Sequence, residues 1–243
     1  MRPAGRPSII PVSAYKREQA RISRRMLYPV TVFYTASAAI LLVVGLRTTH
    51  PFAALGFFLG GVPAWTFVEY SSHRFVFHRH FVISKKWYKK FLTGLAHKYL
   101  DPTHFGHHER PFDGTHINGG LKDLLPVFFV SLPVTFIFPT YTLPMMLAGV
   151  VQSYVAEEWI HHCMHYYNFQ NPYFRHIKRY HLYHHTSPGI DAGYGITNAF
   201  WDIVLRTRFP EPVRQRLFGR GRHARLSGQA NQSVALNNTR GLR

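Results

Sequence analysis

The chain has 243 residues, room for one ordinary domain and a tail, and carries 29 Lys and Arg against 11 Asp and Glu, a formal charge of +18. Such a charge suits nucleic acid or an anionic membrane surface, yet 46% of residues are hydrophobic and 16% aromatic, which is foreign to a simple nucleic-acid binder. The single cysteine, Cys163, excludes a disulfide framework, a Cys-ligated iron–sulfur cluster and a zinc ribbon, whereas 17 histidines are an excess of the commonest metal-ligating side chain.

Residues 1–25 are polar and basic, with Arg2, Arg6, Lys16, Arg17, Arg21, Arg24 and Arg25, and read as a cytoplasmic segment. The apolar run that follows is too long and too late for a signal peptide. Met26–Leu46 is 21 residues without a charge; at ~1.5 Å per residue such a helix covers roughly 30 Å, the thickness of a bilayer core. After a turn at Thr48–His50, a second uncharged run extends from Pro51 to Val68 and ends at Glu69. The pair predicts a transmembrane hairpin. Buried helices of a soluble protein are the competing reading, but a wholly apolar stretch of this length is rare in cores and here it recurs.

Residues 70–123 are polar, basic and His-rich. Leu124–Ala156 then gives 33 residues without a charge, too many for one span. Pro139 and Pro144 bracket a Thr-Tyr-Thr stretch, so a second hairpin turning near 139–144 is predicted, with a partially inserted re-entrant hairpin as the alternative. Residues 157–209 are again polar and His-rich, and 210–243 read as a basic, disordered tail against anionic lipid. The expected architecture is therefore an all-α integral membrane protein. Four transmembrane helices in two hairpins, within a domain spanning 26–209, carry a helical, His-rich metal-binding cap. An even number of crossings places all three basic segments on one side, which the positive-inside rule assigns to the cytoplasm.

The histidines fall into four clusters: His73 and His78; His104, His107 and His108; His161 and His165; His181, His184 and His185. On a helix, residues three and four apart share a face, so each His-x-x-His-His can turn three imidazoles toward one place, and His161 can pair with His165. His73 and His78, five apart, diverge by about 140° on an ideal helix and converge only if the helix ends between them or if they serve different metals. Ten imidazoles exceed what one ion takes and suggest two metals with about five each. Structural zinc prefers four ligands with Cys among them, and this pattern has neither feature. Imidazole suits iron, zinc, copper and nickel alike, so spacing does not choose. His50, His80, His97, His116, His162, His176 and His223 are left out; His97 is the most plausible extra ligand, and His162 sits about 100° from His161. Glu69, Glu157 and Glu158 each lie three or four residues before a cluster histidine and are placed to accept the free N–H of a ligating imidazole, with ordinary helix-end charge as the alternative.

Glu69-Tyr-Ser-Ser-His73-Arg-Phe-Val-Phe-His78 resembles the first histidine box of the fatty acid hydroxylase/sterol desaturase superfamily. So do His104-Phe-Gly-His107-His108 with Pro111-Phe112-Asp113-Gly114, His181-Leu-Tyr-His184-His185, and the run Gly193–Asp202. The Glu-Tyr-x-x-His-Arg-Phe start and the Pro-Phe-Asp-Gly are most similar to fatty acid 2-hydroxylases. The resemblance covers roughly residues 55–210. It implies a non-haem diiron (in some structures dizinc) membrane enzyme with a cytosolic metal cap, the ten cluster histidines being its ligands. The third box departs from the pattern, with Glu158 where Asp is usual. The segment between His78 and His104 matches only loosely, and nothing in the chain resembles the cytochrome b5 domain fused to many eukaryotic members.

The resulting expectation is O2-dependent hydroxylation of a C–H bond in a lipid, most simply a fatty acyl chain. The metals would do the chemistry, while the protein orients the lipid and excludes water. No nucleotide-binding Gly motif or haem site is visible, so electrons must come from a ferredoxin, a cytochrome b5-like protein or a reductase at the basic face. Phe75, Phe77, Phe105, Trp159, Tyr183 and Trp201 either line a lipid entrance or pack the core. Sterol desaturation, C4-methyl oxidation and carotenoid ring hydroxylation share the same centre. A metal transporter fits less well, because the spans contain no charged residue. Nucleic acid is not an expected partner.

Overall fold

The computed structural model describes residues 12–79 and 82–219, and among these every regular element is helical. Residues 1–11, His80, Phe81 and 220–243, His223 included, lie outside the described residues, and so do the readings made of them.

The first helix starts earlier than the apolar run suggests. α1 is one 35-residue helix, Val12–Leu46, so Lys16 to Arg25 are helical and continuous with the span. The reason is local. From Ser13 to Tyr28 there is no Gly or Pro, and Ala, Lys, Arg, Glu and Gln are good helix formers. Its buried positions, Ala20, Ser23, Leu27, Val30, Tyr34, Ala38 and Leu41, repeat every three to four residues along one stripe.

The turn at 47–50 leads into α2, Pro51–Ser72, with Pro at the helix start where its missing N–H costs nothing. A π-helical turn, His73–Phe77, follows without a break: the His78 N–H donates to the His73 carbonyl at 3.1 Å, an i→i+5 bond. α3 is Trp87–Glu109, α4 Leu121–Thr135, α5 Leu143–Tyr166, α6 Pro172–His184 and α7 Phe200–Val204. The second apolar block therefore forms two helices joined by residues 136–142, α4 being only 15 residues long.

α5 is the axis of the packing and lies against α1 and α2 over most of its length. Gly61 and Gly149 permit this: a Cβ at Gly149 would sit 1.9 Å from the Phe58 carbonyl oxygen, so the two backbones touch where the glycines meet. Tyr34, Phe128, Val151, Tyr154 and Val155 close the core beside α1 and α4.

Ser13–Leu46 and Pro51–Phe77 are long and apolar enough to cross a bilayer, yet only 28% and 11% of their most apolar stretches are buried within the protein. Val32, Ile40, Phe52 and Leu59 point outward. Apolar surface on that scale is inconsistent with a helix from a soluble core and places the chain at a membrane.

From Phe209 onward the described residues belong to a separate unit. It holds one described helix, α8, Glu211–Phe218, in a region whose composition suggested no structure. Pro212 in the first turn and a 3.1 Å bond from Gln215 to Glu211 account for it locally.

Candidate metal centre

Four chain segments deliver ten imidazoles into two groups. The first contains His73, His78, His104, His108 and His184, the second His107, His161, His165, His181 and His185, and in each the candidate donor atoms lie within 4.8 Å of one another. In the first group His78 Nε2 is 3.2 Å from His73 Nε2 and 2.9 Å from His184 Nε2. In the second, His161 Nε2 is 3.1 Å from His107 Nε2 and 3.0 Å from His181 Nε2, and His185 Nε2 is 3.0 Å from His181 Nε2.

One detail follows the spacing argument and one differs from it. The helix ends between His73 and His78, as one of the two sequence readings required: a π turn closes at Phe77, His78 caps it, and the two Nε2 atoms come within 3.2 Å. And His-x-x-His-His does not send three imidazoles to one place. In α3, His104 and His108 join one group and His107 the other; at α6, His181 and His185 join one group and His184 the other. Helical geometry requires this. Relative to residue i, position i+4 is turned by about +40° and i+3 by about −60°, so i+3 and i+4 diverge by about 100°.

The arrangement fits a cation at each focus. His73 Nδ1 donates to the Tyr194 carbonyl at 2.5 Å, and His184 Nδ1 to the Ala192 carbonyl at 2.8 Å. A neutral imidazole has one N–H, so Nε2 of both rings is a bare lone pair, and both face His78 Nε2. One N–H cannot satisfy all three. Nε2 of His104 and His108, also buried, has no hydrogen-bond partner. Converging lone pairs in a dry interior are what a bound metal relieves. Burial, then the neighbouring imidazoles, push His107 and His181 well below the usual histidine range, and His78 and His108 to about 3. The rings are thus neutral, the form that ligates.

The carboxylates act differently from expectation. None of the three hydrogen bonds to a cluster imidazole. Glu69 Oε1 accepts the backbone N–H of Ile196 (2.7 Å) and Thr197 (2.9 Å), and Oε2 accepts the Thr197 hydroxyl at 2.6 Å. Glu158 accepts the Gly119 N–H at 3.2 Å. Glu157 lines a cavity of about 480 Å³ between α2 and α5, with Phe58, Val62, Trp65, Gln152 and Ile160.

A residue the sequence reading used only as part of a motif does the orienting. Asp202, fully buried, accepts the N–H of Tyr194 (3.0 Å) and Gly195 (2.8 Å) and the Thr207 hydroxyl (2.7 Å). It holds the segment whose carbonyls fix His73 and His184. Gly193, at φ 72°, gives that segment a left-handed turn that most side chains resist. The signal available beforehand was an acidic residue closing a Gly-rich run.

Among the described residues, none of the histidines left out belongs to either group. His162, beside His161, turns away toward α1, where its Nδ1 meets Ser23 Oγ at 2.7 Å and Asn118 bonds the same oxygen. His97 is exposed, His116 pairs with Asp113, and His50 packs on Tyr141. Of the aromatic residues, Trp159 donates to Thr31 and Trp201 to Thr66, each bracing a helix pair, and Phe77 stacks on His104.

The fatty acid hydroxylase family model matches residues 58–207, a stretch that holds all ten imidazoles and Asp202. The chain belongs to the fatty acid hydroxylase family. Among curated relatives, the dihydroceramide fatty acyl 2-hydroxylase FAH2 of Arabidopsis thaliana is 32% identical over 157 residues, covering 60% of this chain and 58% of that protein. The ceramide very long chain fatty acid hydroxylase SCS7 of Saccharomyces cerevisiae is 30% identical over 185 residues, covering 74% and 43%. The chain thus spans about half the length of these relatives. The solved hydroxylase domain of full-length scs7p shares the fold, with a TM-score of 0.64 at 23% identity over 84% of this chain and 81% of that one.

Proposed function

We propose that this fatty acid hydroxylase is an O2-dependent lipid hydroxylase with two iron ions, one held by each group of five histidines, and that its acyl substrate is carried by a complex lipid. The two converging imidazole groups carry the reading. Family membership and the naming of FAH2 and SCS7 for dihydroceramide and ceramide support the substrate class. When bound, the metal pair supplies O2 activation and the oxidising power for an unactivated C–H bond.

The chain's own part is positional. The ten imidazoles stay neutral through burial. Tyr194 and Ala192 fix the tautomers of His73 and His184, and Asp202 and Glu69 hold the segment that does so. The cavity between α2 and α5 admits a chain of methylenes beside the second group, since Ile160 precedes His161 directly. In this reading all four long apolar helices lie in the bilayer as two hairpins, with the N-terminal segment, the metal cap and the tail in the cytoplasm. Zinc can replace iron on purification, because imidazole accepts both. Electrons enter from a separate ferredoxin, cytochrome b5-like protein or reductase drawn to the basic face.

The test is a metal count and an oxygen-dependent assay on purified protein. Two metals per chain are expected, with product formation abolished by His107→Ala and by His184→Ala. Fewer than one metal per chain, or activity surviving either substitution, would sink the proposal.

A further inference from the structure

The Pro111-Phe112-Asp113-Gly114 run supplies no imidazole, yet it lies between the second histidine group and the charged start of α1. The Phe112 ring stands edge-on to His165 with centroids 5.9 Å apart, and Tyr166 donates to the Phe112 carbonyl at 3.2 Å. The Pro111 carbonyl lies against His165 and the Ile117 carbonyl against His161, each favouring a ring N–H. Segment 111–118 therefore serves His161 and His165 as segment 192–195 serves His73 and His184.

The far side of this segment rests on α1. Lys16, Gln19, Ala20 and Ser23 share one helix face, and three of them grip the segment. The Gly114 N–H donates to Gln19 Oε1 at 2.8 Å, and Asn118 donates to the buried Ser23 Oγ. Lys16 Nζ stands 4.0 Å over the centre of the Phe112 ring. A Cβ at Gly114 would run into the Gln19 carbonyl, so the two backbones touch and only glycine fits. Contacts at positions 112, 114 and 118 thus tie both ends and the middle of the segment to two turns of one helix.

We infer that the start of α1 belongs to the metal centre: Gln19 and Ser23 are positioning residues that hold segment 111–118 against His161 and His165 and so set the affinity of the second group for its ion. The first group is held by a different device, Asp202 beneath Tyr194 and Gly195. Slackening α1 should therefore weaken the second site far more than the first. The inference rests on the two-metal reading and adds to it which part of the chain controls each position.

The experiment titrates the metal-stripped, full-length protein with Co²⁺, whose absorption reports each ion as it binds. The wild type is expected to take two. Gln19→Ala and Ser23→Ala should each weaken one of them by about tenfold or more, the scale of losing an orienting partner. Gly114→Ala should do the same from the opposite side of the contact, and Gln19→Glu, which keeps an acceptor oxygen, should restore binding. In a His161→Ala background, where only the first group holds an ion, Gln19→Ala should change nothing. His162→Ala loosens α1 from α5 but leaves both bonds to the segment, and should still take two ions. Gln19 is only half-buried, so Gln19→Ala serves even where Ser23→Ala or Gly114→Ala folds poorly. Wild-type titration by Gln19→Ala, or an equal loss in the His161→Ala background, overturns the inference. A wild type that takes fewer than two ions removes the two-metal reading and this inference with it.

Discussion

His73 Nδ1 donates to the Tyr194 carbonyl at 2.5 Å, and the Tyr194 N–H donates in turn to Asp202 at 3.0 Å. One peptide segment therefore transmits the position of a carboxylate in the first turn of α7 to the histidine that caps α2. Asp202→Asn keeps the size of the side chain but replaces one acceptor oxygen with a donor. Loss of such an orienting partner typically weakens metal affinity by about 10–100-fold. The expected outcome is a chain that folds but loses metal from the first group during dialysis against a weak chelator, read by elemental analysis. Unchanged retention would show that Tyr194 needs no such anchor.

Adjacent histidines in α5 should separate two kinds of damage. His161→Ala removes a member of the second group and should lower bound metal toward one ion per chain. His162→Ala removes the partner of Ser23 and should leave metal content intact. It costs about 1–3 kcal/mol of stability through the hydroxyl and the Asn118 amide left in a buried place. Metal content and thermal midpoint, measured on the same two proteins, distinguish the effects.

The contact of α2 with α5 has no room for a side chain. Gly149→Val brings a Cβ against the Phe58 carbonyl and should cost about 1–3 kcal/mol or prevent folding. Gly60, one residue from Gly61, has open space around its Cβ position, so Gly60→Ala is expected to fall within about 0.5 kcal/mol of the parent. Comparable losses from both would mean that the crossing lies elsewhere.

Metal-stripped protein should be acid-sensitive. Burial and neighbouring rings hold His78, His108 and His161 near 3 in the folded chain, below the ordinary 6.5. The unfolded chain then binds more protons, so stability is full above about pH 6.5 and falls as pH drops toward the folded values. The thermal midpoint of the stripped protein should decline steadily from pH 7.5 to pH 5. A flat profile over that interval would show that the stripped rings are not packed as described.

Much of this was open to the sequence because its signals are local. The apolar runs mark α2, α4 and α5, and the turn at Thr48–His50 lies between two of those runs. The ten grouped histidines follow from helical spacing. What escaped depends on geometry that spacing does not encode. The π turn at His73–Phe77 has no residue-type signature, so the five-residue gap looked like an obstacle. The amphipathic start of α1 was hidden by its charge. Glu157 and Glu69 sit at equivalent helical offsets before a histidine, yet one lines a cavity and the other ties down Thr197, because the partners of Glu69 come from residues 127 and 128 positions away.

The division of each His-x-x-His-His between two foci makes the halves of the chain interdependent. The first half owns His73, His78, His104 and His108 and borrows His184; the second owns His161, His165, His181 and His185 and borrows His107. Neither hairpin with its own motifs completes a five-nitrogen site. A growing chain must therefore reach residue 184 before the earlier site closes, and any motion of α3 or α6 that opens one site strains the other. Occupancy of the two positions is coupled by construction, with the helices themselves as the coupling element.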